Sequence, residues 1–408
     1  MLREDDGPGN NTSSANISES LTQTGNWQYK NNEIKVFESE LWTSKQRQAC
    51  SIHEVSYRAC FKPQLPAYFI DRLTHAGDTV YDPFSGRGTT CVEAALRGRN
   101  VIVNDVNPLA SILTRPRLEV PDLQTIAARL SKIPMQTKAS ADIDLTMFFE
   151  ERTLNELLSL RDYLQLRHKQ GDEDSADRWI RMVATNRLTG HSSGFFSVYT
   201  LPPNQAASAA TQVKINRKLG QKPTYKDVRT LILKKSSQLL KGLSEANRKA
   251  LRQSAKTARF ITEGADNTKR IRSGTVQLTV TSPPFLDVVQ YSNDNWLRCW
   301  FNAIDAEDVA KRITASKTIE DWTKYMGGVF KELHRVTTKG GFIAFEVGEI
   351  RKGSIRLDEH VVPLAIDAGL ACEGVLINTQ AFTKTANIWG ISNNDHGTNT
   401  NRIVVLRK

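Results

Sequence analysis

Residues 78–106 read DTVYDPFSGRGTTCVEAALRGRNVIVNDV, and this stretch decides the fold. Asp78 to Phe84 has the apolar character of a short buried strand. Ser85 to Gly88 is a turn, because two glycines and a serine permit backbone angles that larger residues resist. Thr89 to Gly98 has the spacing of a helix, with Val92, Ala95 and Leu96 on one face. Asn100 to Val106 is a second strand. Strand, glycine turn, helix and strand in this order open a doubly wound α/β domain.

Working outward, the alternation stops after residue 115. Residues 116–257 read as helices and loops with few strand signals. Strands resume at 259–263, 275–280 and 341–347, with a helix over 321–336. Two late strands, 373–379 and 402–407, are joined by a polar loop, which favours an antiparallel pair. The pattern predicts an α/β domain with a seven-stranded, mostly parallel sheet and an antiparallel edge strand. The expected domain is residues 34–115 plus 258–408, interrupted by an inserted, largely helical module, 116–257. Residues 1–33 are polar, rich in Asn and Ser and poor in large apolar groups, so a flexible tail is expected there.

Composition narrows the function classes. The 408 residues are 39% hydrophobic and 24% charged, which suits a soluble chain with a real core. No run of eighteen apolar residues suggests a membrane span, and the N-terminus lacks the pattern of a signal peptide, so a cytoplasmic protein is expected. The five cysteines, Cys50, Cys60, Cys91, Cys299 and Cys372, are odd in number and form no CxxC. That argues against a disulfide frame or a zinc knuckle. The histidines show no metal-ligand spacing, so no metal is expected.

The first chemical constellation lies in the opening turn. Glycines after a first strand let a ligand approach the backbone, and Asp105, 19 residues beyond Gly86, can accept hydrogen bonds from both hydroxyls of a ribose. A glycine pair alone is merely a tight turn; the strand–turn–helix–strand setting and the acid favour a nucleoside site. The turn is GxG rather than GxGxxG, so a pyrophosphate cradle is incomplete. That favours S-adenosylmethionine, which has no phosphate, over a nicotinamide dinucleotide.

The second constellation is Thr281-Ser282-Pro283-Pro284-Phe285, after the strand ending at Val280. Two prolines stop the strand and leave the carbonyls of Ser282 and Pro283 without ladder partners. Phe285 offers a flat apolar surface beside them. In isolation this is a rigid turn. At the carboxyl end of a sheet strand, beside a nucleoside-binding turn, it is a candidate active site.

DPFSGRGTT, NDVNP and TSPPF together resemble the amino-methyltransferases that modify DNA on exocyclic nitrogens, above all the N4-cytosine group of restriction–modification systems. The resemblance covers about 230 residues, all but the tail and the insert, and it implies a Rossmann-like class I methyltransferase fold. It also implies that Asp82, Phe84, Gly86, Gly88 and Asp105 hold S-adenosylmethionine, and that Ser282, Pro283, Pro284 and Phe285 hold the target amine. FKPQLP, beginning at Phe61, sits where the family has another cofactor-contacting segment, and Asp266 where it often has an acid near the adenine amino group. Serine in the first position of the Pro-Pro turn is typical of N4-cytosine enzymes, whereas aspartate or asparagine is typical of N6-adenine ones. Phe285 stands in place of the commoner tyrosine. The implied substrate is double-stranded DNA, with N6-adenine or an RNA base as the alternative target and a cognate restriction endonuclease as functional partner. Cytosine C5 chemistry needs a cysteine after proline, and no proline here precedes one.

The charge supports a polyanionic partner. Residues 214–259 hold 14 Lys or Arg against two acids, a local excess of +12 in a chain whose total is +11. Such concentration suits phosphate contact. Lys214, Arg217, Lys218, Lys222, Lys234 and Lys235 are the expected DNA-binding residues, and the insert is the expected target-recognition module. Phe195, Phe196 and Tyr199 are expected to form local core or, as the alternative, to border the base or cofactor cleft. Leu297, Trp300 and Phe301 should also pack inward, while Asp287, Tyr291, Asn293 and Asn295 are candidates to line the cleft.

Overall fold

Alternating side chains along the strands build two apolar layers. Val80, Val101, Val103, Phe342 and Ala344 face one side of the sheet, and their neighbours Tyr81, Ile102, Ile343 and Phe345 face the other, all buried. The computed structural model describes residues 21–41, 49–58, 60–135, 141–203, 205–284, 291–313, 318–350, 355–378 and 401–408.

The strands of the main sheet are β1 (Thr22–Tyr29), β2 (Asn32–Ser39), β3 (Thr79–Asp82), β4 (Asn100–Asn104), β5 (Arg259–Ile261), β6 (Val276–Thr281), β7 (Thr337–Val347), β10 (Ala371–Asn378) and β11 (Asn401–Arg407). A separate two-stranded ribbon is made by β8 (Glu349–Ile350) and β9 (Ile355–Arg356). The main sheet runs in the order β1-β2-β10-β11-β7-β6-β3-β4-β5. Strands β5, β4, β3, β6 and β7 are parallel, and β11 enters antiparallel to both β7 and β10. The order reverses beside β3, which is the switch point where doubly wound sheets bind ligands.

Two expectations change. The sheet has nine strands, because β2 pairs in parallel with β10 and β1 folds back antiparallel on β2. The antiparallel strand β11 is therefore interior, not at an edge. The tail expected over residues 1–33 gives way from Thr22 onward to β1, whose polar sequence TQTGNWQY suits a strand largely open to solvent. Its partner β2 supplies the buried Ile34 and Phe37.

One face of the sheet carries α1 (Gln64–Leu73), α2 (Thr89–Leu96) and α3 (Leu109–Leu118). The insert adds α4 (Leu123–Lys132), α5 (Glu151–Gln170), α6 (Ser175–Arg187), α7 (Ala209–Leu219), α8 (Val228–Leu240) and α9 (Glu245–Ala255), and α10 (Tyr291–Phe301) follows β6. Leu157, Trp179, Ile232 and Leu251 of the insert share one continuous core with Val80, Val92 and Val280. The insert is thus fused to the sheet, and the boundary drawn at residue 115 falls inside α3. After α11 (Ala306–Arg312), the opposite face is covered by α12 (Ile319–Val336) and α13 (Asp358–Asp367), through Phe330, Leu333 and Val361. Among the described residues no helix is long and apolar enough to cross a membrane.

Candidate active site

The glycine turn is fixed by its own backbone and by two acids. Ser85 donates its N–H to the Asn104 carbonyl at 3.0 Å and its hydroxyl to the Asp82 carbonyl at 2.8 Å. Gly86 and Gly88 adopt φ of +50° and +74°, the left-handed region that favours glycine. At Gly88 a Cβ would also lie 2.1 Å from Thr114 Oγ1, so α3 packs against bare backbone there. Asp105 accepts the N–H groups of Gly86 and Asn107, each at 2.9 Å. Burial nevertheless pushes its carboxyl up to about 6. The Asn104 side chain ties the turn to the next strand: its amide donates to the carbonyls of Pro83 and Glu263, and its oxygen accepts the Glu263 N–H.

Two arginines, unnoticed in the sequence, hold the upstream segment against this turn. Arg87 donates to the carbonyls of Val55 and Phe61. Arg117, wholly buried, donates to the carbonyls of Leu113, Ile52 and Arg87. Its burial and the nearby Arg87 charge lower it to about 9. These bonds seat Phe61 at the mouth of the site, and the Tyr57 ring lies over Gly86, where a Cβ would be 3.2 Å from it.

The second constellation meets the first through a short hydrogen bond. Thr281, the last residue of β6, donates its hydroxyl to Asp82 Oδ1 at 2.6 Å. Asp82 ends β3, and its carboxyl is pushed up to about 7, first of all by burial. Thr90 at the start of α2 donates to the Val280 carbonyl at 3.0 Å, a second tie between the two halves. Glu346, near the end of β7 and beside Ser282 in the register, is a buried carboxylate raised to about 7 by desolvation, which the Ser282 hydroxyl partly offsets. The Pro284 carbonyl accepts the Trp322 indole N–H at 3.1 Å, so α12 braces the elbow.

A pocket of about 910 Å³, counting the open space at its mouth, lies between the two loops. Asp82, Phe84, Gly86 and Asp105 line it from one side, Ser282 and Pro284 from the other, and Phe61, Trp322 and Met326 supply apolar walls. Gly88 lies behind, opening α2. Asp82, Asp105 and Glu346 form no ion pair among the described residues; hydroxyls and backbone N–H groups are their partners. Buried acceptors of this kind favour a ligand that brings positive charge and hydrogen-bond donors.

Some expected residues fall elsewhere. Asp266 is exposed, with its side chain against Gly328 of α12; Ala265 is the residue of that turn in the pocket. Phe285 and Asp287 lie outside the described residues, as does the side chain of Tyr291. Asn295 is buried and accepts from Arg298 rather than lining the pocket, while Asn293 faces a separate groove. Leu297 and Phe301 are core, but Trp300 is half-buried, its indole on Asp142. Phe195 and Phe196 are core, whereas Tyr199 is 52% exposed.

The expected DNA-binding cations divide. Lys214, Arg217, Lys218, Lys222 and Lys234 are exposed. Lys235 is 7% exposed and pairs with Glu54 at 3.2 Å, which corrects its place in that set. It shares the buried face of α8 with Val228, Ile232, Ser236 and Leu239.

Residues 7–111, which carry the Phe61 segment, the glycine turn and Asp105, match the family model described as DNA methylase. The chain resembles the DNA amino-methyltransferases of restriction–modification systems. Over 82 residues it is 35% identical to a Type II methyltransferase, M.MjaII, of Methanocaldococcus jannaschii. That stretch is 20% of this chain and spans only 16% of the relative. Among solved structures, a geranyl diphosphate methyltransferase in complex with GPP and sinefungin aligns at a TM-score of 0.33 and 10% identity, over 84% of this chain and 77% of that one. A SAM-dependent methyltransferase from Methanosarcina mazei aligns at 0.30 and 10%, over 83% and 96%.

Proposed function

We propose that the chain transfers a methyl group from S-adenosylmethionine to the exocyclic N4 amine of cytosine in duplex DNA, at a specific sequence that a cognate restriction endonuclease would otherwise cut. The observation that carries this reading is the bond from Thr281 to Asp82. It holds the ends of β3 and β6 together, so that a nucleoside-type turn and a Ser-Pro-Pro elbow line one pocket.

The donor set fits the cofactor. Asp105 would take the ribose hydroxyls, Gly86 and Gly88 leave room at the turn, and Phe61, Phe84 and Ala265 offer flat or small surfaces for a purine. The Asp82 and Asp105 carboxyls, without basic partners among the described residues, suit a sulfonium and an ammonium. When bound, S-adenosylmethionine supplies an electrophilic methyl group, so no covalent protein intermediate is needed.

The residues of the elbow act on the amine. Its lone pair is conjugated into the base ring, and hydrogen bonds to the Ser282 hydroxyl and the Pro283 carbonyl favour a pyramidal nitrogen aimed across the pocket. Such alignment can contribute about 7–11 kcal/mol toward the barrier. The amine must also lose a proton. With Glu346 beside it, Ser282 can accept the amine's proton as it passes its own to that carboxylate; a carboxyl near 7 suits this at neutral pH. A duplex buries the amine, so the base must leave the stack, at a cost of a few kcal/mol that stacking on Phe285 would offset. The exposed cations of the insert would bind the phosphates.

The test is methylation of duplex DNA and of structured RNA by the purified protein, followed by mass analysis of the nucleosides. N4-methylcytosine in DNA is expected. N6-methyladenine alone would move the target to adenine, and label confined to RNA would overturn the DNA reading.

A further inference from the structure

A second concavity lies on the other side of α10. This helix turns Asp294 and Arg298 toward the loop beneath the pocket, where they bond Arg58 and the Ser56 carbonyl. It turns Asn293 and Trp296 into an open groove of about 1090 Å³, counting the solvent space above it. The Trp296 indole donates to the Ala207 carbonyl at 3.1 Å and fixes α10 against the start of α7. Ile143 and Asp144 form the facing wall, and Thr211 stands in the first turn of α7. Asn293 and Asp144 are both exposed. Thr146 donates its N–H and hydroxyl to Asp144 Oδ1, at 3.0 and 2.7 Å, which aligns that carboxylate.

The surroundings say what would lie there. From Arg178 to Lys226 the sequence contains no acid. Within that span α7 and the turn after it expose Lys214, Arg217, Lys218 and Lys222. Tyr199, 52% exposed, is tethered beside them by Gln212 and Gln221, which both donate to its carbonyl. A row of cations beside a groove with amide and carboxylate lips matches a duplex: phosphates along the row, base edges in the groove. The groove is also lined by α10, the helix that follows the Ser-Pro-Pro elbow in the chain.

Resting on the function proposed above, we infer that this groove reads the sequence around the target. Asn293 and Asp144 meet base edges: an amide can bond an adenine edge through N6 and N7, and a carboxylate can accept from a cytosine amine. Lys214, Arg217, Lys218 and Lys222 contact phosphate and set position without specifying sequence.

The experiment is methylation of a duplex library with randomised flanks, scored by methylation-sensitive sequencing, for wild type, N293A, D144N and K218A. Calorimetric affinity for S-adenosylmethionine, expected unchanged, shows that each variant is folded. N293A and D144N should each relax the preference at one or more flanking positions, by ten-fold or more in relative kcat/KM. K218A should slow all sequences by a common factor and lower the salt dependence of binding by about one ion. Wild-type transfer to DNA with unchanged preferences in both N293A and D144N would overturn the groove assignment alone. Wild type that labels no DNA would overturn the proposed function and this inference with it.

Discussion

The glycine turn and the helical insert spend their polar side chains in different ways. In the turn, Asp82, Asn104, Asp105, Arg87 and Arg117 all point inward and bond backbone or hydroxyl groups within a few residues of the pocket. In the insert, some charges lock the helices together: Arg129 bonds Asp174 and Asp177, Arg229 caps the carbonyls of Leu130 and Ile133, and Lys235 pairs with Glu54. Others, on α7 and after it, face solvent. A count of basic residues merges these two populations; the turn has no such ambiguity, because its geometry is set locally.

The largest effect should come from the chemical side of that comparison. Ser282→Ala and Glu346→Gln should each lower kcat by about 100-fold or more, the usual scale for losing a proton-transfer group, with cofactor affinity kept. A steady-state assay with separate calorimetry distinguishes the two quantities; a reduced affinity with unchanged kcat would assign these residues to binding. Next is Gly88→Ala. A left-handed alanine costs about 1–2 kcal/mol, and the clash with Thr114 adds overpacking of about 1–3 kcal/mol. Urea denaturation should therefore show a loss of about 2–5 kcal/mol; a wild-type midpoint would mean that α3 lies farther away.

The insert offers a sharper, smaller contrast. Lys218→Ala should leave stability within about 0.5 kcal/mol and reduce the salt slope of DNA binding by about 0.9. Lys235→Ala should do the reverse, lowering stability with the salt slope unchanged. Equal salt slopes for the two variants would erase the division between structural and available cations.

The last contrast concerns pH. Folded Asp82 and Glu346 titrate near 7 and Asp105 near 6, all above the ordinary carboxyl range. The folded state therefore holds more protons than the unfolded chain between about pH 4 and pH 7, and stability should fall as pH rises through that window and level off above it. Thermal melts of the ligand-free protein at pH 5 and pH 8 measure this, and Asp82→Asn should flatten the decline. A stability that rises over the same window would show these carboxyls to be ionised by partners.

Much of the fold was legible because its signals are local. The seven strands of the expected sheet are apolar runs bounded by turns, and each forms. β1 was missed because TQTGNWQY buries almost nothing and resembles a disordered tail in composition, and β2 because only Ile34 and Phe37 are buried among its charged and polar residues. Glu346 escaped because its contact with Ser282 depends on the register between β6 and β7, which pairs Thr281 with Phe345 and appears in no single segment. Lys235 was readable: residues 228, 232, 235, 236 and 239 recur at helical spacing, and all are buried. Asp266 was misplaced by one position, since it is Ala265 that turns inward.

The central claim is that the acid after β4 receives a nucleoside in the pocket that the two loops share. Calorimetric titration of S-adenosylmethionine into wild type and Asp105→Asn tests it most directly. Loss of charge-assisted hydrogen bonds, each worth about 1.5–3 kcal/mol, predicts a Kd weaker by about 10–100-fold in the variant. An unchanged Kd would contradict the account.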